Sequence, residues 1–273
     1  STTHGEGFDH ERAVADADVV IVHEWTDPAL VARIGRLRRT NGFTLLFHDT
    51  HHRAVSASAD IDALDLSDYD GVLAFGAAVA ERYLREGWGR QVAVWHEAAD
   101  TRLFRPLPSV PWERDLVWIG NWGDGERTDE LRDFLLVPAR RLGLGGTVHG
   151  VRYPAEAREE VARAGLDYRG WIANADVPAA FARHRVTVHV PRRPYVNALP
   201  GIPTIRVFEA LACGIPLVCA PWDDVENLFR PGRDYLLAGN GEAMEAALRE
   251  VLADAAMAEE LARSGLETIA ARH

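Results

Sequence analysis

Lysine is absent from this chain, and every one of its 30 basic residues is arginine. The absence excludes lysine chemistry: neither a Walker phosphate loop nor a Schiff base can be built here. We read it as a genome-level composition bias. Cysteine is almost as scarce. Cys213 and Cys219 fall on a helix end and the strand that follows, where they read as small buried apolar residues of a reducing compartment, not as a disulfide framework. No apolar run approaches the ~20 residues of a membrane span. Positive charge is in deficit, and the net charge of −11 argues against nucleic acid or an anionic membrane surface as the main partner. No dinucleotide fingerprint with a downstream acid is present, which disfavours a nicotinamide enzyme. No leader precedes the first predicted strand, so the expected location is cytoplasmic. The chain opens on Ser1 and stops at His273 while a helical pattern is still running, so we read it as a piece of a longer protein or a processed form.

What is present is an alternation of buried strands and amphipathic helices. Strands are predicted over 18–23, 43–48, 71–75 and 91–95, with helices over 29–39 and 77–86. Continuous apolar strands alternating with helices mean parallel sheets covered on both faces, hence an α/β protein. Pro106, Pro108 and Pro111 then stiffen an extended linker over 106–114. The pattern restarts with strands at 116–119, 147–149, 186–190, 217–220 and 235–238. Helices are expected over 127–142, 155–164, 177–184, 205–212, 242–253 and 255–271. The expected division is residues 1–105, a linker over 106–114, and residues 115–273.

The most informative stretch runs from Tyr195 to Pro221. It reads as a loop ending in Gly201-Ile202-Pro203, then a helix stopped by Gly214 with Pro216 just beyond, the usual punctuation of a helix. Ile205, Phe208, Leu211 and Ala212 share its apolar face, with Arg206 and Glu209 on the other side. A loop feeding a helix N-terminus offers free N–H groups to an anion. A carboxylate further along can accept hydrogen bonds from sugar hydroxyls. A nucleoside diphosphate needs both. The alternative is that Glu209 merely pairs with Arg206 on a solvated helix face.

Glu209-Ala210-Leu211-Ala212-Cys213-Gly214-Ile215-Pro216-Leu217-Val218 resembles the E-A-x-A-C-G-x-P-V-V run of the group 1 glycosyltransferases. The preceding Gly201-Ile202-Pro203-Thr204-Ile205-Arg206-Val207-Phe208 is closer to the CgeB-like (spore maturation protein-like) branch. The resemblance implies a GT-B fold, two Rossmann-like domains facing a cleft, with this helix in the C-terminal donor domain. The N-terminal, acceptor-side domain is expected to be short of two or three βα units. The resemblance also implies that Glu209 binds the donor ribose, and that the turn at Ile202, Pro203 and Thr204 lies against the phosphates or the donor sugar. The family's first Glu, eight residues upstream of the second, is Gly201 here, so retaining or inverting chemistry is not decided. The activity implied is transfer of a sugar from a nucleoside diphosphate donor to a hydroxyl acceptor, whether on glycan, lipid or protein. No cofactor and no metal are needed, because helix dipole and arginine neutralise the leaving diphosphate. Two other readings stand beside it: a degenerate module that binds nucleotide sugar without catalysis, and a sugar-nucleotide epimerase.

Further candidates follow from position. Gly120-Asn121-Trp122-Gly123-Asp124-Gly125 lies between a strand and a helix, where glycines let backbone approach a phosphate. It occupies the family's diphosphate-binding place, with Arg127 the candidate for the charge and Arg206 a second contributor. Otherwise it is only a turn. Phe47-His48-Asp49 resembles the family's V-H-D at a strand's carboxyl edge, which implies that His48 contacts the transferred sugar or the acceptor; the alternative is a strand-end cap. Nearby His51 and His52 match no metal-ligand spacing. Tyr168-Arg169-Gly170-Trp171 resembles the F-x-G at the nucleobase, so Trp171 either stacks on a base or is core. Asp100 in D-x-x-x-F-x-P is expected to order the crossover.

Overall fold

A computed structural model describes residues 8–108 and 110–273, which divide into two compact units, Ser1–His96 and Glu97–His273. In the first, strand β1 (Val19–His23) leads to helix α1 (Pro28–Asn41), then β2 (Thr44–Asp49), β3 (Gly71–Ala74), α2 (Ala77–Glu86) and β4 (Val92–Val94). The start of α1 is encoded locally. The Asp27 carboxylate accepts from the amides of Ala29 and Leu30, Pro28 takes the first helical turn, and Gly42 ends the helix in the left-handed region at φ 75°. The sheet order is β1-β2-β3-β4, all parallel. Val22, Leu45, Phe47, Val72 and Ala74 fill one face beneath α1 and α2 with Val31, Ile34, Val79 and Tyr83. On the other face Val19 and Ile21 are about half exposed, so among the described residues that face is open at its β1 edge. The polar stretch before β3 holds two short helices, Arg53–Ser56 and Ser58–Asp62.

The second unit contains β5 (Arg114–Ile119) and α3, made of Thr128–Leu131, a π-turn Arg132–Leu136 and Val137–Leu142. There follow β6 (Gly146–His149), α4 (Ala155–Arg163), β7 (Leu166–Gly170), α5 (Val177–Ala182) and β8 (His184–His189). The chain continues through α6 (Arg193–Ala198), α7 (Ile205–Cys213), β9 (Leu217–Cys219), β10 (Leu236–Leu237), α8 (Gly241–Ala253) and α9 (Ala255–Arg272). The helix expected over 127–142 carries its π-turn because Pro138 has no amide to donate and its ring crowds the carbonyl a turn earlier. The six-stranded sheet is parallel, in the order β10-β9-β8-β5-β6-β7. Alternate residues of β5 enter separate cores. Leu116 and Trp118 pack with α3, α4 and α8; Val117 and Ile119 pack with α7 and Ile269 of α9.

The unit boundary falls earlier than the Pro-rich segment, and 97–113 travel with the second unit. Ala99 and Phe104 enter its core, Asp100 organises the turn between them by accepting from the amides of Arg102, Leu103 and Phe104, and Pro106 rests against Gly214. Residues 106–114 therefore lie along this unit instead of forming a free linker. Among the described residues, no helix is long and apolar enough to cross a membrane.

Candidate functional site

In the second sheet the strand order reverses between β5 and β8, and ligands of open α/β sheets bind at the carboxyl ends of strands flanking such a reversal. Two loops leave there, one from Gly120 after β5 and one from Val190 after β8. Arg127 ties them together. Its guanidinium donates to the carbonyls of Val190 (3.0 Å) and Asn121 (2.9 Å) and sits over the Trp118 ring at 5.1 Å. It is 8% exposed. Burial, and next the charge of Arg192, bring it down to about 10, still cationic at neutral pH. Arg127 was expected to meet a phosphate; the structure places it behind the loop as a brace, with a positive charge and, among the described residues, no carboxylate in salt-bridge contact.

The glycine loop is a fitted turn more than an open cradle. Gly120 donates its amide to the carbonyl of His149 and accepts at its own carbonyl from the Tyr153 hydroxyl and the Trp118 indole. Trp122 donates to the carbonyl of Val151, and the Asn121 side-chain oxygen accepts from the Val151 amide. Gly123 is required by space, since a Cβ there would lie 2.3 Å from the amide nitrogen of Thr128. The amide of Gly120, a candidate phosphate donor, and that of Trp122 are thus engaged in joining the β5 and β6 loops.

The charge at this edge comes from a residue the sequence reading passed over. Arg192, directly after the β8 loop begins, has a largely buried side chain that reaches Glu126 at 2.6 Å and the carbonyl of Gly123 at 3.3 Å. His189, the last residue of β8, is 3% exposed. Its Nε2 lies 3.1 Å from the hydroxyl of Thr204, the residue that starts α7, and its Nδ1 has no hydrogen-bond partner among the described residues. Burial, and secondarily the charge of Arg127, push His189 down to about 3, so it is neutral at physiological pH. A valine-rich strand, V-x-V-H-V, gives no hint that its histidine ends beneath a helix N-terminus.

Ile202 and Pro203 are buried and shape the entry to α7, while Thr204 is half-buried. Arg206 and Glu209 do not lie on a solvated face. Residues Val207 to Ala212 are all buried, and Glu97 lies near enough for its charge to act on Arg206. Glu209 is 2% exposed; its Oε2 lies 2.5 Å from Arg206 Nη1, out of line for a hydrogen bond. Burial raises the Glu209 carboxyl and lowers Arg206, each opposing what its partner's charge does. We read the pair as ionised, two buried groups whose contact offsets part of their desolvation. Gly201 adopts φ 87°, and a Cβ there would meet Val225 at 2.9 Å and the Glu226 side chain at 3.0 Å. Trp171 is 72% exposed in the turn after β7, which excludes the core alternative.

In the first unit His48, next to last in β2, lies on the face opposite Phe47 and Asp49, half-buried, its ring tilted 5.0 Å from Trp95 and edge-on at 5.8 Å to His23 of β1. Burial and then the neighbouring His23 lower its pKa. Asp49, on the opposite face, is fully buried and accepts from the Tyr83 hydroxyl and the His51 amide. Burial raises it to about 6.

The profile of the glycosyl transferase-like family matches residues 127–273. No curated protein sequence matches significantly. Solved structures do. Sucrose-phosphate synthase from Thermosynechococcus elongatus is 17% identical, with a TM-score of 0.66, over 96% of this chain and 71% of its own. Anabaena Alr3699/HepE in complex with UDP-glucose is 15% identical, with a TM-score of 0.68, over 96% and 76%. T4 phage BGT in complex with UDP-glucose is 13% identical, with a TM-score of 0.64, over 94% and 78%. The α/β fold of this chain, with its parallel sheets, is that of these GT-B proteins, as the sequence led us to expect.

Proposed function

The chain belongs to the glycosyl transferase-like family, and we propose that it moves a sugar from a nucleoside diphosphate donor to a hydroxyl acceptor, without a metal, as a CgeB-like member. UDP and UDP-glucose, which Anabaena Alr3699/HepE holds in structures sharing this fold, are the first donors to try. The observation that carries the reading is the start of α7 at the reversal of the sheet. A helix N-terminus with a half-buried Thr204 lies there, Arg206 stands in the first turn of the helix, and Arg192 follows β8, the strand whose last residue, His189, meets the Thr204 hydroxyl. Such an edge stabilises the charge that grows on a departing diphosphate. Arg127 acts from behind, adding a fixed positive field while holding the loops in place.

Glu209 reaches a ribose only after its contact with Arg206 opens. In this account Arg206 exchanges the carboxylate for the diphosphate, and Glu209 then accepts from the ribose hydroxyls. The carboxylate missing at Gly201 is supplied in space by Glu226, against the donor sugar. Trp171, exposed beside the sheet edge, is offered to the base. In the reaction the acceptor oxygen bonds to the sugar's anomeric carbon, the bond from that carbon to the diphosphate oxygen breaks, and its electron pair leaves with the diphosphate. Positioning and electrostatic stabilisation supply the rate.

The binding-module reading retains support from one observation, the burial of Glu209 beneath its own ion pair. Release of free nucleotide separates the two. UDP-glucose, GDP-mannose and ADP-glucose, each incubated with simple glycoside acceptors, are expected to yield UDP, GDP or ADP in one case. A protein that binds one of them and releases nothing with any acceptor is a module and not a transferase.

A further inference from the structure

Thr204 holds the N-cap position of α7, where a threonine ordinarily turns its hydroxyl back onto the second or third amide of its helix. Here the side chain makes no such bond. It is turned toward β8, and its Oγ1 lies 3.1 Å from Nε2 of His189. Among the described residues the amides of Ile205 and Arg206 meet no acceptor. The first amide of the helix to be bonded is that of Val207, to the Thr204 carbonyl at 3.0 Å. Orphan amides at a helix start are met by a cap, by water or by a ligand. The group that holds the cap away, His189, is 3% exposed and aimed at the helix start, and its Nδ1 has no hydrogen-bond partner among the described residues.

The ring is neutral, so its two nitrogens compete for one proton. On Nδ1 that proton would be a buried donor without an acceptor, the costlier kind of orphan. On Nε2 it is donated to Thr204. Arg127, which holds the carbonyl of the next residue, Val190, adds positive charge beside the ring and keeps a second proton away.

We propose that His189 is a positioning residue: it donates from Nε2 to Thr204, holds the hydroxyl off the helix, and makes it a donor to an anion bound by the amides of Ile205 and Arg206. The inference rests on the glycosyl-transfer reading for the identity of that anion, a diphosphate oxygen of the donor. With its lone pair engaged by the histidine, the Thr204 oxygen has its own proton left to give. A capping Thr204 would cover the amides of the first turn; held by His189, it leaves them open and adds a third donor from residues 204–206. No proton leaves His189 in this role, which is one of orientation.

Long-range proton–nitrogen NMR of the full chain near pH 7 reads the ring directly. His189 is expected to be a neutral imidazole with its proton on Nε2. A proton on Nδ1, or on both nitrogens, overturns the inference whatever the fate of the transfer reading. Calorimetric titration with pyrophosphate, and with whichever of UDP, GDP, ADP and CMP binds the parent, reads the consequence. Thr204→Val keeps the shape and removes the donor; it is expected to weaken these ligands about 10- to 100-fold, and Thr204→Ser to stay within about threefold of the parent. His189→Leu is expected to weaken them about tenfold, and His189→Gln, whose amide can donate to Thr204, to recover most of that loss. His189→Leu combined with Thr204→Val is expected to be no weaker than Thr204→Val alone, because the histidine acts only through the hydroxyl. If the nucleotide binds the parent and His189→Leu alike, or if the two losses add, this inference falls and the nucleotide site stands. If the parent binds neither pyrophosphate nor any of the nucleotides, the donor site falls and the anion role of Thr204 with it.

Discussion

Gly150→Ala is expected to destabilise the second unit by about 3 kcal/mol and to abolish nucleotide binding with it. Gly150 follows β6, and a Cβ there would lie 2.1 Å from the carbonyl oxygen and 2.6 Å from the carbonyl carbon of Gly120. Neither is the end of a flexible side chain. That carbonyl is pinned by Tyr153 and Trp118, and the Gly120 amide by His149, so the β5 loop cannot yield without breaking its own hydrogen bonds. Overpacking a fitted site costs ~1–3 kcal/mol, and here backbone must move against backbone. Gly125→Ala is the control. Gly125 has φ 79° with open space around it, so the same substitution meets only the conformational cost of ~1–2 kcal/mol. Denaturant unfolding should separate the two by about 1–2 kcal/mol. Equal losses would show that the β5 and β6 loops are not a rigid unit, and that Arg127 braces nothing.

His189 is expected to make the second unit acid-labile. Its imidazole goes from an ordinary value of 6.5 in the unfolded chain to about 3 in the folded one. A lowered histidine favours the folded state fully above the unfolded value, and that contribution is lost as the pH falls below 6.5, because only the unfolded chain takes up the proton. Each pH unit then removes up to ~1.4 kcal/mol, so the loss between pH 6.5 and 4.5 is on the order of 2–3 kcal/mol. Glu24 and Asp49 act the other way in the first unit. Their raised carboxyls favour the folded state at low pH, and that stability is lost as the pH rises through about 7 and about 6. The comparison must therefore be made on second-unit unfolding, the parent against His189→Gln, whose amide still reaches Thr204. Near pH 7 the two are expected to be similar or the parent more stable; by pH 4.5 the variant should have gained about 2–3 kcal/mol relative to the parent. Parallel stability curves would mean that His189 is protonated in place, with water or an anion at its unpartnered Nδ1.

Much of this was legible in the chain, for identifiable reasons. The strands are runs of valine, isoleucine and leucine bounded by glycine and proline. The limits of α7 were written in Pro203 and Gly214, residues whose backbone preferences act locally. What escaped depends on neighbours far along the chain. β7 reads Leu-Asp-Tyr-Arg-Gly, an edge strand whose polar alternation looks like a loop. The π-turn in α3 came from Pro138, visible but not weighed. The alternative of a solvated Glu209 fails because both sides of α7 are buried, which the period of the helix alone does not show. Arg127 looked free for phosphate because nothing local shows that the carbonyls of Asn121 and Val190, the latter 63 residues away, would engage it. The rule for anions at helix starts points to the edge where α7 begins, yet it could not say which arginine faces out.

The central claim is a nucleotide site at the start of α7, and calorimetric titration with UDP, GDP, ADP and CMP tests it most directly, with Glu209→Ala beside the parent. Losing a hydrogen bond to a charged group, ~1.5–3 kcal/mol, weakens a ligand about 10- to 100-fold. One nucleotide is expected to bind the parent and to be weakened by that factor in the variant. Binding of none of the four, or equal binding to both proteins, would contradict the account.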